Sequence, residues 1–130
     1  MLNQPLDIIH FASHATLDLD YPELSKILLS PLSDESAGKE MPNQYLMPTD
    51  INQAKLPGSL VVLSACETSG SQQFSFDSNL GFVSAFMNAG VDTVIASLWP
   101  VGDQSTADFM VNFYQRLNRG ASPEQALLAT

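Results

Sequence analysis

One cysteine and two histidines hold most of the chemistry this 130-residue chain can offer. Cys66 is the only thiol, and only Ser64-Ala65 separate it from a short apolar run, Leu60-Val61-Val62-Leu63. His14 comes just after a similar run, Leu6-Asp7-Ile8-Ile9-His10-Phe11-Ala12-Ser13. A thiolate is a nucleophile, and an imidazole within reach can activate it or hold it as an ion pair. Backbone amides at the turns after the two runs could stabilise an oxyanion. Each residue also has a plain structural reading. A lone cysteine serves as a small core residue, and a lone histidine as a hydrogen-bonded polar group. Spacing alone leaves both readings open.

The elements that must position these residues are legible. Pro57-Gly58 signals a turn, and the run from Leu60 to Leu63 has no polar alternation, so it reads as a strand buried on both faces. Residues 6–13 read as a second strand with His14-Ala15-Thr16 at its carboxyl edge, and His10 and His14 would share a face of an ideal strand. In open parallel sheets, the carboxyl ends of strands are where ligands and chemistry collect. A helix capped by Asp77 or Ser78 carries Phe82, Val83, Phe86 and Met87 and ends at Asn88-Ala89-Gly90. Val91 to Leu98 is a third strand, so strand, helix and strand form a βαβ unit on a parallel sheet.

The remaining segments are read in turn. Asp103 opens a further helix with Ala107, Met110, Tyr114 and Leu117 on one stripe and Phe109 and Phe113 beside it. Arg116 and Arg119 complement its negative end, and Gly120 terminates it. Ser122-Pro123-Glu124-Gln125 has the form of a capped helix start. Residues 17 to 57 are patterned least. Ser25 to Leu29 fits a short strand of a hairpin, Ser33 to Asn43 an exposed loop, and Thr49 or Asp50 the cap of a short helix reaching Lys55.

Composition narrows the field. Fourteen acids against five bases give a formal charge of −9, which argues against nucleic acid or an anionic membrane surface and permits a basic peptide as partner. No stretch approaches the roughly 18 apolar residues of a membrane span, and no secretion signal opens the chain. One cysteine forms no internal disulfide, which fits a reducing cytoplasm. His10, His14 and Cys66 make no clustered ligand pattern, so neither a metal nor a cofactor is expected.

Several ordered motifs together resemble the CHAT domain. They are His10-Phe11-Ala12-Ser13-His14, Leu63-Ser64-Ala65-Cys66-Glu67-Thr68, Ala85-Phe86-Met87-Asn88-Ala89-Gly90, and Ser97-Leu98-Trp99-Pro100-Val101 with Asp103. The similarity runs on through Phe113-Tyr114 and Ser122 to Leu127, touching nearly the whole chain. That family is similar to caspases and separases, which are cysteine peptidases. The resemblance implies an α/β, caspase-like three-layer sandwich with a mostly parallel sheet, truncated at both ends because flanking strands and helices of the family domain are missing. It implies a cysteine endopeptidase with His14 as catalytic base and acid, Cys66 as nucleophile, and the amides of Ala15 and Cys66 as oxyanion hole. It links Asp103 to a basic side chain before the cleaved bond, and it suggests regulatory repeat domains elsewhere in the parent protein.

The chain also departs from the family pattern. Ala15 stands where a glycine is usual, so a positive φ there would carry strain. Ser69 displaces the glycine expected after Cys66-Glu67-Thr68 to position 70. These departures and the missing flanks favour an alternative, a catalytically silent interaction or scaffold module, against which stands the retention of both His14 and Cys66. A serine hydrolase is disfavoured because no G-x-S-x-G elbow occurs. Asp103 also has a structural task as helix cap. Glu67 reads as a solvated turn acid, Trp99 as packing at a strand end, and His10 as a strand residue with a satisfied hydrogen bond.

Overall fold

A computed structural model of the chain describes residues 8–18, 20–29, 44–64, 66–67, 76–97 and 103–130. Along the first part come β1 (Ile8–Phe11), β2 (His14–Thr16), a 3-10 turn (Pro22–Leu24), β3 (Lys26–Leu29) and β4 (Gln44–Leu46). Then follow α1 (Pro48–Asn52), β5 (Leu60–Leu63), β6 (Cys66–Glu67), α2 (Phe76–Asn88) and β7 (Thr93–Ala96). Two helices, α3 (Asp103–Asn118) and α4 (Pro123–Leu128), complete the order. The expected loop at Ser33–Asn43 and Trp99 fall outside the described residues.

Among the described residues the fold is mixed α/β, and its ladders form two sheets where one mostly parallel sheet was expected. Three parallel strands make the first, in the order β1-β5-β7. The second has the order β4-β3-β2-β6, with two antiparallel pairings and one parallel. The division falls within two continuous chain segments. In sequence, two residues separate β1 from β2 and two separate β5 from β6. Past that break the hairpin of β3 and β4 takes over one flank. Lys26 Nζ lies 5.5 Å from the centroid of the Tyr45 ring, a diagonal cross-strand contact that ties the two strands of the hairpin.

One face of both sheets builds a common core. Ile9, Phe11, Ala15 and Leu17 alternate along the first segment, Val61 and Leu63 along the second, and Val94 and Ala96 along β7. Alternate residues of a strand share a face, so the alternation persists across the break even though the ladder does not. β5 is buried throughout, from 0% exposure at Leu60, Val61 and Val62 to 6% at Leu63, as its uninterrupted apolar run predicts.

α2 covers the core face with Phe82, Ala85, Phe86 and Ala89, a stripe at i, i+3, i+4 and i+7. Met87, expected in this stripe, is instead 51% exposed. It lies about 100° around the helix from Phe86, and the small Ala85 and Ala89 complete the contact instead. At the helix end Gly90 has φ 94°, with Gly90 N donating to Met87 O and Val91 N to Phe86 O. This paired arrangement needs the left-handed conformation that glycine adopts without penalty. α1 begins two to three residues earlier than expected. Met47 is the flanking residue, Pro48 opens the helix, and the Asp50 carboxylate accepts from the Met47 amide at 2.9 Å. The helix ends at Asn52, not Lys55.

The weakly patterned region after β2 is closed by side chains bonding to backbone. Asp18 Oδ1 accepts from the amides of Asp20 and Tyr21, and Ser25 Oγ, on a residue only 1% exposed, accepts from Asp18 N. The turn so formed presses on α2 at Gly81, where an added Cβ would lie 2.7 Å from the carbonyl oxygen of Pro22. Glycine inside a helix costs about 1 kcal/mol relative to alanine, so its presence here reflects close approach. Gly81→Ala is therefore expected to lower stability by about 1–3 kcal/mol despite the better helix former. Urea unfolding checks this against Ser84→Ala on the exposed side of the same helix. A gain like that of Ser84→Ala would show that the turn moves aside freely.

The described residues 103–130 belong to a second compact unit. α3 and α4 pack on each other, with Phe113 and Ala126 fully enclosed and rings of Phe109, Phe113 and Tyr114 in sequence contact. α3 closes as expected at Gly120, whose amide donates to Leu117 O while Ala121 N reaches Arg116 O. The start of α4 follows its sequence signature in full. Ser122 Oγ accepts from Gln125 N at 3.2 Å, and Gln125 Oε1 accepts from Ser122 N at 3.0 Å.

Candidate functional site

The two segments that carry His14 and Cys66 run parallel and adjacent, and one register governs both halves. Ile8 pairs with Leu60, Ile9 with Val61, His10 with Val62 and Phe11 with Leu63, each 52 positions apart. After the break the same offset returns, with His14 opposite Cys66 and Ala15 opposite Glu67. The strand-end residues expected to meet are thus direct register partners. Partners in a parallel ladder occupy one face of it. Positions 14 and 66 therefore lie on the face opposite the one through which Ala15 enters the core. His14 is exposed. The side chain of Cys66 lies outside what is described, and its backbone forms the first residue of β6.

Ala15 corrects one expectation. It is not a turn residue under strain but the middle residue of β2, 5% exposed, paired with Ile27 on one side and Glu67 on the other. A methyl group suits that position, because the core closes on it. Ala15→Gly, expected to relieve strain if the turn were left-handed, is now expected to lower stability by about 1–2 kcal/mol through lost burial and added backbone freedom. Thermal unfolding checks the sign, and a raised midpoint would contradict the strand assignment.

Two polar residues flank the break. His10 Nε2 and Ser64 Oγ are hydrogen-bonded at 2.7 Å, and partial desolvation holds the His10 pKa below the ordinary histidine value. His10 is thus a strand residue with its hydrogen bond made, as expected. Ser64 N donates to Phe11 O at 2.9 Å, a backbone link directly after β1 and β5. Ser13, in the core-facing alternation, has a buried Oγ with no hydrogen-bond partner among the described residues. Sequence reasoning did not single out Ser13 or Ser64, since a lone serine near a strand end has no distinguishing local signal.

Asp103 is the first residue of α3, which belongs to the second compact unit. Its side chain lies outside what is described, as does that of Glu67. The helix expected to start at Asp77 or Ser78 begins with Phe76. No helix among the described residues is long and apolar enough to cross a membrane.

The chain is matched to known proteins over most of its length. It is 32% identical over 108 residues to tetratricopeptide repeat protein 28 of Homo sapiens, an alignment covering 82% of this chain and 4% of that protein. The chain thus spans a small part of the length of this relative. The family model for the CHAT domain matches residues 1–130. The whole-chain match, together with the motifs around His14 and Cys66, shows that this chain belongs to the CHAT domain family.

Proposed function

We propose that the chain is the catalytic part of a cysteine endopeptidase of the CHAT and separase-like type, on a caspase-like three-layer architecture. The observation that carries this reading is the shared 52-residue register that makes His14 the strand partner of Cys66. In this reading the Cys66 thiolate attacks the scissile carbonyl and forms a tetrahedral oxyanion. The oxyanion collapses to an acyl-thioester as His14 gives its proton to the leaving amine. His14 then takes a proton from water, whose oxygen attacks the thioester and releases the acid and the Cys66 thiolate. The amides of Ala15 and Cys66 serve as oxyanion donors. Ala15 has ladder neighbours on both flanks, so its amide has to be shared with, or released from, a strand acceptor.

The substrate is a protein or peptide, and Asp103 receives a basic side chain before the cleaved bond. The net charge of −9 supports approach of such a ligand and disfavours nucleic acid and anionic membrane. The chemistry requires no metal or cofactor. A reducing cytoplasm suits an enzyme that depends on its single thiol. The repeat protein among its relatives supports a parent in which repeat domains regulate this one.

A second reading, an interaction or scaffold module without turnover, draws on that same relative and on the ladder partners of Ala15. Covalent labelling separates the two. Peptidyl acyloxymethyl ketones ending in arginine should modify Cys66 of the intact protein, detected by mass spectrometry, faster than those ending in aspartate. Asp103→Asn should erase that preference while keeping the melting temperature, because an amide caps a helix nearly as well as a carboxylate. Labelling no faster than that of a small free thiol favours the scaffold.

A further inference from the structure

The two parallel segments face a physical problem at the break. Among the described residues β6 comprises two, Cys66 and Glu67, too few to hold a register by themselves, and Ala12 and Ser13 belong to no strand. Yet the offset of 52 is kept from one side to the other. We propose that the His10–Ser64 hydrogen bond is the clamp that carries the register across, making both positioning residues for His14 and Cys66. This rests on the catalytic reading of that pair.

The geometry suits the task. His10 is the ladder partner of Val62, and Ser64 lies two residues further along the same segment. His10 to Ser64 is therefore a diagonal contact on one face. A slip of one residue would turn Ser64 to the other face and break the contact. At 2.7 Å the link is short, and the Ser64 amide bond to Phe11 O anchors the same residue from its backbone. Ser64 is held from two directions immediately before the chain enters β6. The same bonding speaks against Ser64 as a second nucleophile, since its own amide is already committed to Phe11 and cannot serve an oxyanion.

The alignment can be measured without any substrate. Directly paired strand positions lie about 4.8 Å apart, within the roughly 4.4–6.8 Å that a disulfide spans between Cα atoms. His14→Cys should therefore form an intramolecular disulfide with Cys66, and its equilibrium against glutathione reports how often the two positions align. Adding Ser64→Ala should weaken that equilibrium about 2- to 10-fold, the range that one net hydrogen bond supplies. Ser64→Thr, which keeps the hydroxyl, should restore it. In the protein with His14 intact, Ser64→Ala should lower kcat for peptide cleavage with KM little changed, and threonine should again rescue it. An unchanged disulfide equilibrium in the Ser64→Ala background overturns the clamp. A weakened equilibrium with unchanged kcat overturns its part in turnover. A weakened, threonine-rescued equilibrium in a protein that cleaves nothing upholds the clamp and removes only the peptidase reading.

Discussion

On the peptidase reading, Cys66→Ala is expected to abolish peptide cleavage by the intact protein, and His14→Ala to lower it by a comparable factor, roughly four orders of magnitude or more for groups that act as one unit. The expectation follows from chemistry that splits into two halves. Without the thiol no acyl intermediate forms, and without the imidazole neither the leaving amine nor the attacking water exchanges its proton. The double variant should be no worse than either single one, because each already disables the whole unit. Both proteins should stay folded. His14 is exposed and contributes no core surface. Alanine at position 66 keeps the backbone pairing with residue 14 that the ladder supplies. Turnover measured with a tight-binding inhibitor titration distinguishes true loss from contamination. Wild-type rates in Cys66→Ala would take this residue out of the mechanism. Undiminished partner binding in a protein that never turned over substrate would instead support the scaffold.

How much of this was legible depends on the range over which each feature is encoded. β5 was readable because Leu60 to Leu63 is an apolar run bounded by a turn signal, and burial on both faces leaves that mark locally. The start of α4 was readable because Ser122, Pro123 and Gln125 satisfy backbone groups within three residues of themselves. The adjacency of the His14 and Cys66 segments followed from two strand ends with chemistry at each. Their common offset was visible only as a spacing until the ladders gave it meaning.

Features that depend on distant partners were not legible. Nothing near Ala12-Ser13 announces that the ladder stops there, because the core-facing alternation from Ile9 to Leu17 continues unbroken. The pairing of Ala15 on both flanks was hidden for the same reason. Its place is set by Ile27 and Glu67, which pair with it from other parts of the chain. The His10–Ser64 bond joins residues 54 positions apart and has no local signature at all. Met87 was placed in the core because it is apolar, although the two small alanines beside it fit the covered stripe better. Local chemistry thus reveals caps and buried strands, while sheet boundaries are decided by partners.

The largest stability effect is expected at Phe86, where these long-range contacts converge. Phe86→Ala should cost about 3–5 kcal/mol, the usual toll for removing a buried aromatic side chain. The residue is 1% exposed, lies on the core stripe of α2, and sets its ring 5.8 Å from that of Phe11 at an interplanar angle of 41°. Tilted ring pairs contribute about 0.5–1.5 kcal/mol beyond the area they bury. A double-mutant cycle with Phe11→Ala should therefore return a coupling of that size. Met87→Ala, next in sequence but 51% exposed, should change stability by no more than about 0.5 kcal/mol. Against a total stability of about 5–15 kcal/mol the Phe86 loss is a large share. It should also reach the candidate site before the domain unfolds. Phe11 is the last residue of β1, and its carbonyl accepts the amide of Ser64 two positions before Cys66. With the Phe86 ring gone, Phe11 loses its support on the core side, and the end of β1 is free to loosen. Hydrogen exchange at the Ser64 amide should then accelerate more than exchange at Val62, one turn of the ladder further back. Equal acceleration at both amides would mean that Phe86 supports the sheet as a whole and not its carboxyl end.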